Sequence, residues 1–220
     1  MQFPDMPIRI DSFASCRVRR SMRVTPIADA RSLMKTHSTP PRLLIVPGLA
    51  DSGPAHWQSW LQSQRRDAVR VKQRDWLAPE LERWAARIAS TLDHAGPGPW
   101  VVAAHSFGCL ALVHYLQSNP VSPVVGALLV APAEPDRFGI GGLLPLRSLP
   151  IPTTLMFSEN DPWLTPASAR RCAARWSSQS VNLGAAGHVN AEAGFGPFPL
   201  ALRWIDAFSA EAEAPRTLAA

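Results

Sequence analysis

The chain has 220 residues, 46% of them apolar and 18% charged, with a formal net charge of +5. That length suits one well-buried domain. No apolar run nears the roughly 18 residues that cross a bilayer, and the amino terminus lacks an apolar signal core, so a cytoplasmic protein with no membrane partner is expected.

The positive charge invites a nucleic-acid reading, and its placement argues against one. Residues 1–41 hold Arg9, Arg17, Arg19, Arg20, Arg23, Arg31 and Lys35 against Asp5, Asp11 and Asp29, which leaves +4 there and only +1 over the rest of the chain. The outlying trio Arg170, Arg171 and Arg175 fits a solvated helix face. Residues 1–40 show no period of 2 or 3.6 and end in Ser38-Thr39-Pro40-Pro41, which predicts a flexible basic extension ahead of one domain at 41–220. Poor in acids and rich in arginine, the extension resembles an organelle transit peptide and equally fits a translation start at Met22 or Met34.

Arg42 to Val46 is a continuous apolar run, the mark of a strand covered on both faces of a parallel sheet. Between Gly53 and Arg66, Trp57, Trp60 and Leu61 fall at helical spacing. Val69 to Lys72 reads as a second strand. Pro79 suits the first turn of a helix with Leu81, Trp84, Ile88 and Leu92 on one face. Gly96-Pro97-Gly98-Pro99 ends it.

Trp100 to His105 is a third strand that breaks at Ser106 and restarts as a helix through Leu110, Leu112, Val113 and Leu116. A strand that feeds a helix through Ala104-His105-Ser106-Phe107-Gly108 must turn sharply, which presents Ser106 at the carboxyl edge of the sheet. The Phe107 amide then lies at a helix amino terminus, aimed at whatever Ser106 attacks. The usual form is Gly-x-Ser-x-Gly; Ala104 in the first place predicts a slightly less strained turn. On its own, the pentapeptide fits an ordinary helix cap as well.

Val124 to Val130 is a fourth strand. The segment 131–152, with five prolines and three glycines, predicts a lid or pocket wall. Thr153 to Phe157 is a fifth strand that opens into Ser158-Glu159-Asn160-Asp161-Pro162-Trp163. A helix from Pro166 to Trp176, a last strand at 181–183, the loop 184–197 and a helix through Leu202, Ile205 and Phe208 close the chain. Six strands alternating with helices predict a doubly wound, mainly parallel α/β sheet with helices on both faces, whose function lies at the strands' carboxyl ends.

Four of those ends carry Gly48-Leu49, Ser106, Asp161 and His188. A serine hydroxyl attacks carbon only if a base takes its proton; an imidazole can, and a carboxylate on its other nitrogen holds the tautomer. The order Ser106, Asp161, His188 is that of the α/β-hydrolases. Asp161 is preferred over Glu159 and Asp136 because Pro162 marks a fixed turn, although it also reads as a turn-forming residue. His105 reads as a packing and hydrogen-bonding residue under the sheet rather than a second base. Cys109 reads as a small buried hydrophobe. His56 and Trp57 fit either a capped core tryptophan or a pocket wall.

Six blocks in register carry a resemblance: Leu44 to Leu49, Ser52-Gly53 with His56-Trp57-Gln58, Gln73 to Trp76, Ala104 to Gly108, Ser158 to Pro162, and Gly187 to Pro197. Over residues 42–208 the chain resembles the small serine-hydrolase family typified by retinoblastoma-binding protein 9 and its bacterial relatives, within the α/β-hydrolase superfamily. The resemblance implies Ser106 as nucleophile, Asp161 as acid, His188 as base, and the amides of Leu49 and Phe107 as oxyanion hole. Residues 1–40 depart from it, since such compact proteins usually lack an extension.

The expected activity is a carboxylesterase acting on small acyl esters through an acyl-enzyme, with thioester or amide cleavage by the same mechanism. Phe138, Leu143, Leu144 and Trp163 could line an apolar pocket. Cys16, Cys109 and Cys172 are too far apart for a disulfide framework or a zinc site, and no dinucleotide fingerprint follows the first strand, so neither metal nor cofactor is expected. The rival reading is a binding module on a hydrolase scaffold, recruiting a protein or polyanion through residues 1–40.

Overall fold

The structure is a computed structural model and describes residues 39–144 and 147–213. The extension and partner surface expected of residues 1–40 fall, but for Thr39 and Pro40, outside the described residues, as does Cys16. The described chain runs β1 (Arg42–Val46), α1 (Trp57–Gln64), β2 (Val69–Arg70), α2 (Leu81–Ala95), β3 (Trp100–His105), α3 (Phe107–Ser118), β4 (Val124–Val130), β5 (Thr153–Phe157), α4 (Pro166–Trp176), β6 (Gln179–Asn182) and α5 (Pro199–Glu213). The strands form one six-stranded sheet in the order β2-β1-β3-β4-β5-β6. Every pairing is parallel.

Successive strand residues face opposite sides, and a sheet covered on both faces therefore needs apolar residues at every position. In β1, Leu44 and Val46 face a core built with α2, α3 and α4 through Trp84, Ile88, Leu110 and Trp176. Leu43 and Ile45 face the other core, with Trp57 and Leu61 of α1 and Ile205 and Phe208 of α5. All four of these apolar side chains are fully buried.

Several element boundaries differ from expectation; β2, expected to reach Lys72, ends at Arg70. Helix α1 starts at Trp57 because His56 supplies the cap: its Nδ1 accepts the Gln58 N–H at 3.1 Å. Pro79 lies outside α2, since the extended residue Glu80 is the cap and the helix opens at Leu81. The last strand comes two residues early, at Gln179–Asn182, an edge strand of exposed and half-buried residues with little apolar signal. The segment after β4 is not irregular throughout: it holds two single 3₁₀ turns, Pro135–Phe138 and Gly141–Leu143.

Strand order reverses between β1 and β3, and the crevice at such a reversal is where ligands bind in open α/β sheets. A buried glutamine bridges this crevice. Gln58 Nε2 donates to the carbonyls of Val46 at 3.1 Å and Ala103 at 3.0 Å, the ends of the two strands, while its Oε1 accepts from Ser52 Oγ at 2.5 Å. Replacement by Gln58→Leu strips donors from buried acceptors, so unfolding free energy should fall by about 1–3 kcal/mol. A urea titration with an unchanged midpoint would show that the bridge carries no stability.

Candidate active site

The turn from β3 into α3 holds Ser106 at φ 52°, ψ −125°, a conformation that non-glycine residues rarely adopt. Ala104 in place of glycine therefore leaves the sharp turn in place, with the strain carried at Ser106 itself. Two glycines make room for it. A Cβ on Gly48 would stand 2.7 Å from the Ser106 Cβ, and one on Gly108 would stand 2.2 Å from the Pro47 carbonyl oxygen. The β1 loop and the amino end of α3 thus close on each other because neither carries a side chain there.

Leu49 directly follows Gly48 in that loop, and Phe107 directly follows Ser106 in the turn. Phe107 is the first residue of α3, so its N–H lacks an intrahelical acceptor. Neither amide donates to another backbone carbonyl among the described residues. The loop that carries Leu49 is pinned from two directions. Ala50 N–H donates to the Trp76 carbonyl at 3.1 Å. Arg70, at the end of β2, pairs with Asp51 at 3.2 Å and donates to the Ser52 carbonyl at 2.8 Å, to Ser59 Oγ at 2.9 Å and to Gln62 Oε1 at 2.9 Å.

His188 stands over the turn, with Nε2 2.9 Å from Ser106 Oγ. Its Nδ1 lies 2.9 and 3.0 Å from the two oxygens of Asp161. The Asp161 side chain is almost wholly buried and that of His188 nearly so. Of the two competing carboxylates, Glu159 accepts from Asn182 at 2.8 Å and Asp136 sits exposed on the first 3₁₀ turn. Asp161 serves the turn as well, since Oδ1 accepts the Trp163 N–H at 2.8 Å. An imidazole bonded in this way to a carboxylate can take a proton from the hydroxyl, and the adjacent amides can hold an oxyanion.

The loop that presents His188 is fastened to the loop that presents Asp161. Ser158 Oγ accepts the Ala186 N–H at 2.9 Å and donates to Asn160 Oδ1 at 2.8 Å, which accepts the Gly187 N–H at 2.7 Å. Val189 follows at φ 49°. Asn160 and Ser158 therefore set the distance between the Asp161 and His188 loops, a role that requires the 186–187 amides and shows only once both loops are in place.

His105 is closer to the chemistry than a residue under the sheet. Its ring lies 4.9 Å from that of His188, and its Nε2–H donates to the His188 carbonyl at 2.9 Å. Burial pushes its pKa well below the ordinary imidazole value, with His56 and His188 adding to the effect. It stays neutral and anchors the backbone of His188. His56, 4.8 Å from His105 ring to ring, is likewise pushed down, to about 4, by burial first and then by Arg70 and His188. Burial also raises the Cys109 thiol well above its ordinary value, and the side chain is fully enclosed.

The six residues considered for a pocket separate into two groups. Trp57 and Leu144 are buried in the two cores, which favours the core reading of Trp57 and corrects the pocket reading of Leu144: Trp57 packs edge-on to Phe198, just before α5, and Leu144 lies on the opposite face. His56 is buried as the α1 cap. Phe138 is half-buried with its ring 5.0 Å from Phe107, Leu143 is exposed, and Trp163 is 40% exposed with its ring 5.9 Å from His188. A cavity of about 310 Å³ lined by Gln73, Arg74, Asp75, Ala78, Arg83 and Arg87 includes none of the three reacting groups. Among the described residues no cluster of three or more His, Cys, Asp or Glu could hold a metal ion, and no helix is long and apolar enough to cross a membrane.

A family model described as serine hydrolase matches residues 43–207. Among solved structures, a Pectobacterium atrosepticum protein described as a YdeN-like hydrolase is 38% identical over 79% of this chain and 92% of its own, with a TM-score of 0.75. The ydeN gene product of Bacillus subtilis, 19% identical over 76% and 98%, has a TM-score of 0.64. Mouse alpha/beta hydrolase domain-containing protein 10, 15% identical over 79% and 91%, has one of 0.57. These last two share the α/β-hydrolase fold. No curated protein matches the chain.

Neutral burial of His56 has a thermodynamic consequence. The unfolded chain takes up a proton near pH 6.5, whereas the folded His56 does so only near 4. Between those values the unfolded state binds more protons, so stability rises with pH and is lost on acidification; His105 acts in the same direction. Urea midpoints followed from pH 7 to pH 4 should report a loss of about 2–3 kcal/mol from His56. His56→Asn keeps a capping oxygen and should flatten that part of the slope; an unaltered slope would contradict the neutral burial.

Proposed function

We propose that this chain, which belongs to the serine hydrolase family, is a carboxylesterase of small acyl esters that works through an acyl-enzyme on Ser106. The observation that carries this reading is the unbroken relay from Asp161 through His188 to Ser106 Oγ, with no contact longer than 3.0 Å. As Oγ bonds to the acyl carbon, its proton passes to His188 Nε2, and the carbonyl oxygen becomes an oxyanion held by the Leu49 and Phe107 amides. Collapse of that intermediate breaks the bond to the alcohol oxygen, which leaves with the proton from His188. A water then gives its proton to Nε2 and its oxygen to the acyl carbon, and the acid departs as Oγ is reprotonated. Asp161 keeps the Nδ1–H tautomer and stabilises the imidazolium in both halves.

A thioester or amide would follow the same scheme and differ only in its leaving group. A small acyl group is supported by the rim: Phe138 leans on Phe107 beside the nucleophile, and the 131–152 segment is far smaller than a separate lid domain. The cytoplasm is the proposed compartment, since Cys109 and Cys172 are both free thiols. The rival reading, recruitment through residues 1–40, draws no support from the described residues.

A fluorophosphonate probe should label the wild-type protein and spare Ser106→Ala. Hydrolysis of 4-nitrophenyl acetate should fall by about 10³-fold or more in Ser106→Ala and His188→Gln, and by about 10²- to 10⁴-fold in Asp161→Asn, where the tautomer is lost. Labelling that persists in Ser106→Ala would transfer the nucleophile to another residue and end this assignment.

A further inference from the structure

Arg137 and Phe138 are neighbours on the 3₁₀ turn Pro135–Phe138 and contact different aromatic partners. Phe138 reaches Phe107, the residue after the nucleophile, at 5.0 Å between rings. Arg137 sets its guanidinium over the Trp163 ring at 5.3 Å, and that ring lies 5.9 Å from His188. The turn is fixed to the Trp163 backbone as well, through Glu134 N–H donating to the Trp163 carbonyl at 3.0 Å. A cation is thereby held on the rim of the candidate site, within two ring contacts of the imidazole.

The guanidinium has no counter-charge. Among the described residues the Arg137 side chain forms neither an ion pair nor a hydrogen bond, while its backbone N–H donates to the Glu134 carbonyl at 3.2 Å, and the residue is exposed. The adjacent carboxylate, Asp136, is turned onto Gly141, where its Oδ1 lies 2.5 Å from the place a Cβ would take. Asp161 is engaged by His188 and by the Trp163 amide, and Glu159 by Asn182. Stacking on an indole uses the face of a guanidinium and leaves its five N–H groups in the plane. Such a fork matches the two oxygens of a carboxylate.

We propose that Arg137 is a specificity-determining residue that selects acyl esters carrying a second, free carboxylate, the monoesters of dicarboxylic acids. The inference rests on the serine-hydrolase reading of Ser106. The free carboxylate takes no part in bond making or breaking. It accepts from Arg137 while the ester carbonyl sits at Ser106, so the acyl chain spans the distance from nucleophile to rim. Arg137 touches the substrate away from the reacting atoms, and its effect therefore falls on KM more than on kcat.

The test compares the 4-nitrophenyl monoesters of adipic and suberic acid with the neutral hexanoate and octanoate of equal chain length. In the wild type the kcat/KM of at least one charged ester should exceed that of its neutral partner by about 10-fold, a size expected of one charge-assisted pair, and the ratio should shrink as NaCl is raised. Arg137→Ala should bring the ratio to about one, Arg137→Glu should invert it, and Arg137→Lys should restore part of it, since the charge remains and the fork does not. Cleavage of the neutral esters with no preference at either length, or a preference that survives Arg137→Ala, overturns the inference and leaves the hydrolase reading standing. No cleavage of any ester, together with no fluorophosphonate labelling of Ser106, overturns both.

Discussion

The candidate site depends on one close approach. The Pro47 carbonyl and the backbone of Gly108 meet at a distance that leaves no room for a Cβ, and Gly48 meets Ser106 in the same way. If these two contacts were opened by a single methyl group, the β1 loop would move off the start of α3. Leu49, which follows Gly48 in that loop, would move with it, even with Ser106 and His188 in register. A strained φ at Ser106 costs of the order of 1–3 kcal/mol and persists only where surrounding structure over-determines it. Here it is held by Ser106 N–H donating to the Val130 carbonyl, by the Cys109 N–H accepted at the Ser106 carbonyl, and by β3, which is buried along its whole length.

Around that contact, the imidazoles divide their work by burial. His56 caps α1, His105 anchors the carbonyl of His188, and His188 alone reaches the nucleophile. Three imidazoles within ring contact would repel one another if all were charged. Burial resolves this by keeping His56 and His105 neutral above about pH 4 and well below the ordinary value respectively. Among the described residues, the charged side chain within ion-pair distance of His188 is Asp161.

The sequence makes the central strands legible and the edges less so, for a physical reason. β1, β3, β4 and β5 are covered on both faces, so each carries an apolar run, interrupted only at strand ends by Arg42, His105 and the buried pair Thr153 and Thr154. β2 has two residues and β6 is mostly exposed, and neither has a core to enforce a pattern. Ser106, Asp161 and His188 are readable because each follows a strand end in a local motif, and the fold brings the three into hydrogen-bond contact. Gln58, Arg70, Asn160 and Arg137 are not readable as site-shaping residues, because each acts on a partner that only folding supplies: the Ala103 carbonyl, the Asp51 loop, the Gly187 amide and the Trp163 ring. Trp57 misleads for the complementary reason. Its neighbours His56 and Gln58 lie in the crevice, yet its own side chain points into the α1–α5 core.

The same contrast separates the floor of the site from its rim. The floor is made of strand ends whose positions are set by sheet register and by buried hydrogen bonds, so a change there disturbs chemistry and folding together. The rim consists of one 3₁₀ turn and the Trp163 segment, joined by a backbone hydrogen bond and ring contacts, with Arg137 exposed and Trp163 partly so. A substitution there alters what the site meets first without moving Ser106, since no rim side chain supports the Ser106 turn or the amides of Leu49 and Phe107 except Phe138 through the Phe107 ring. Substrate choice in this fold can therefore change by single exposed residues at fixed chemistry. That independence follows from where the hydrogen bonds lie: the relay's partners are buried, and the rim's charged donors face solvent.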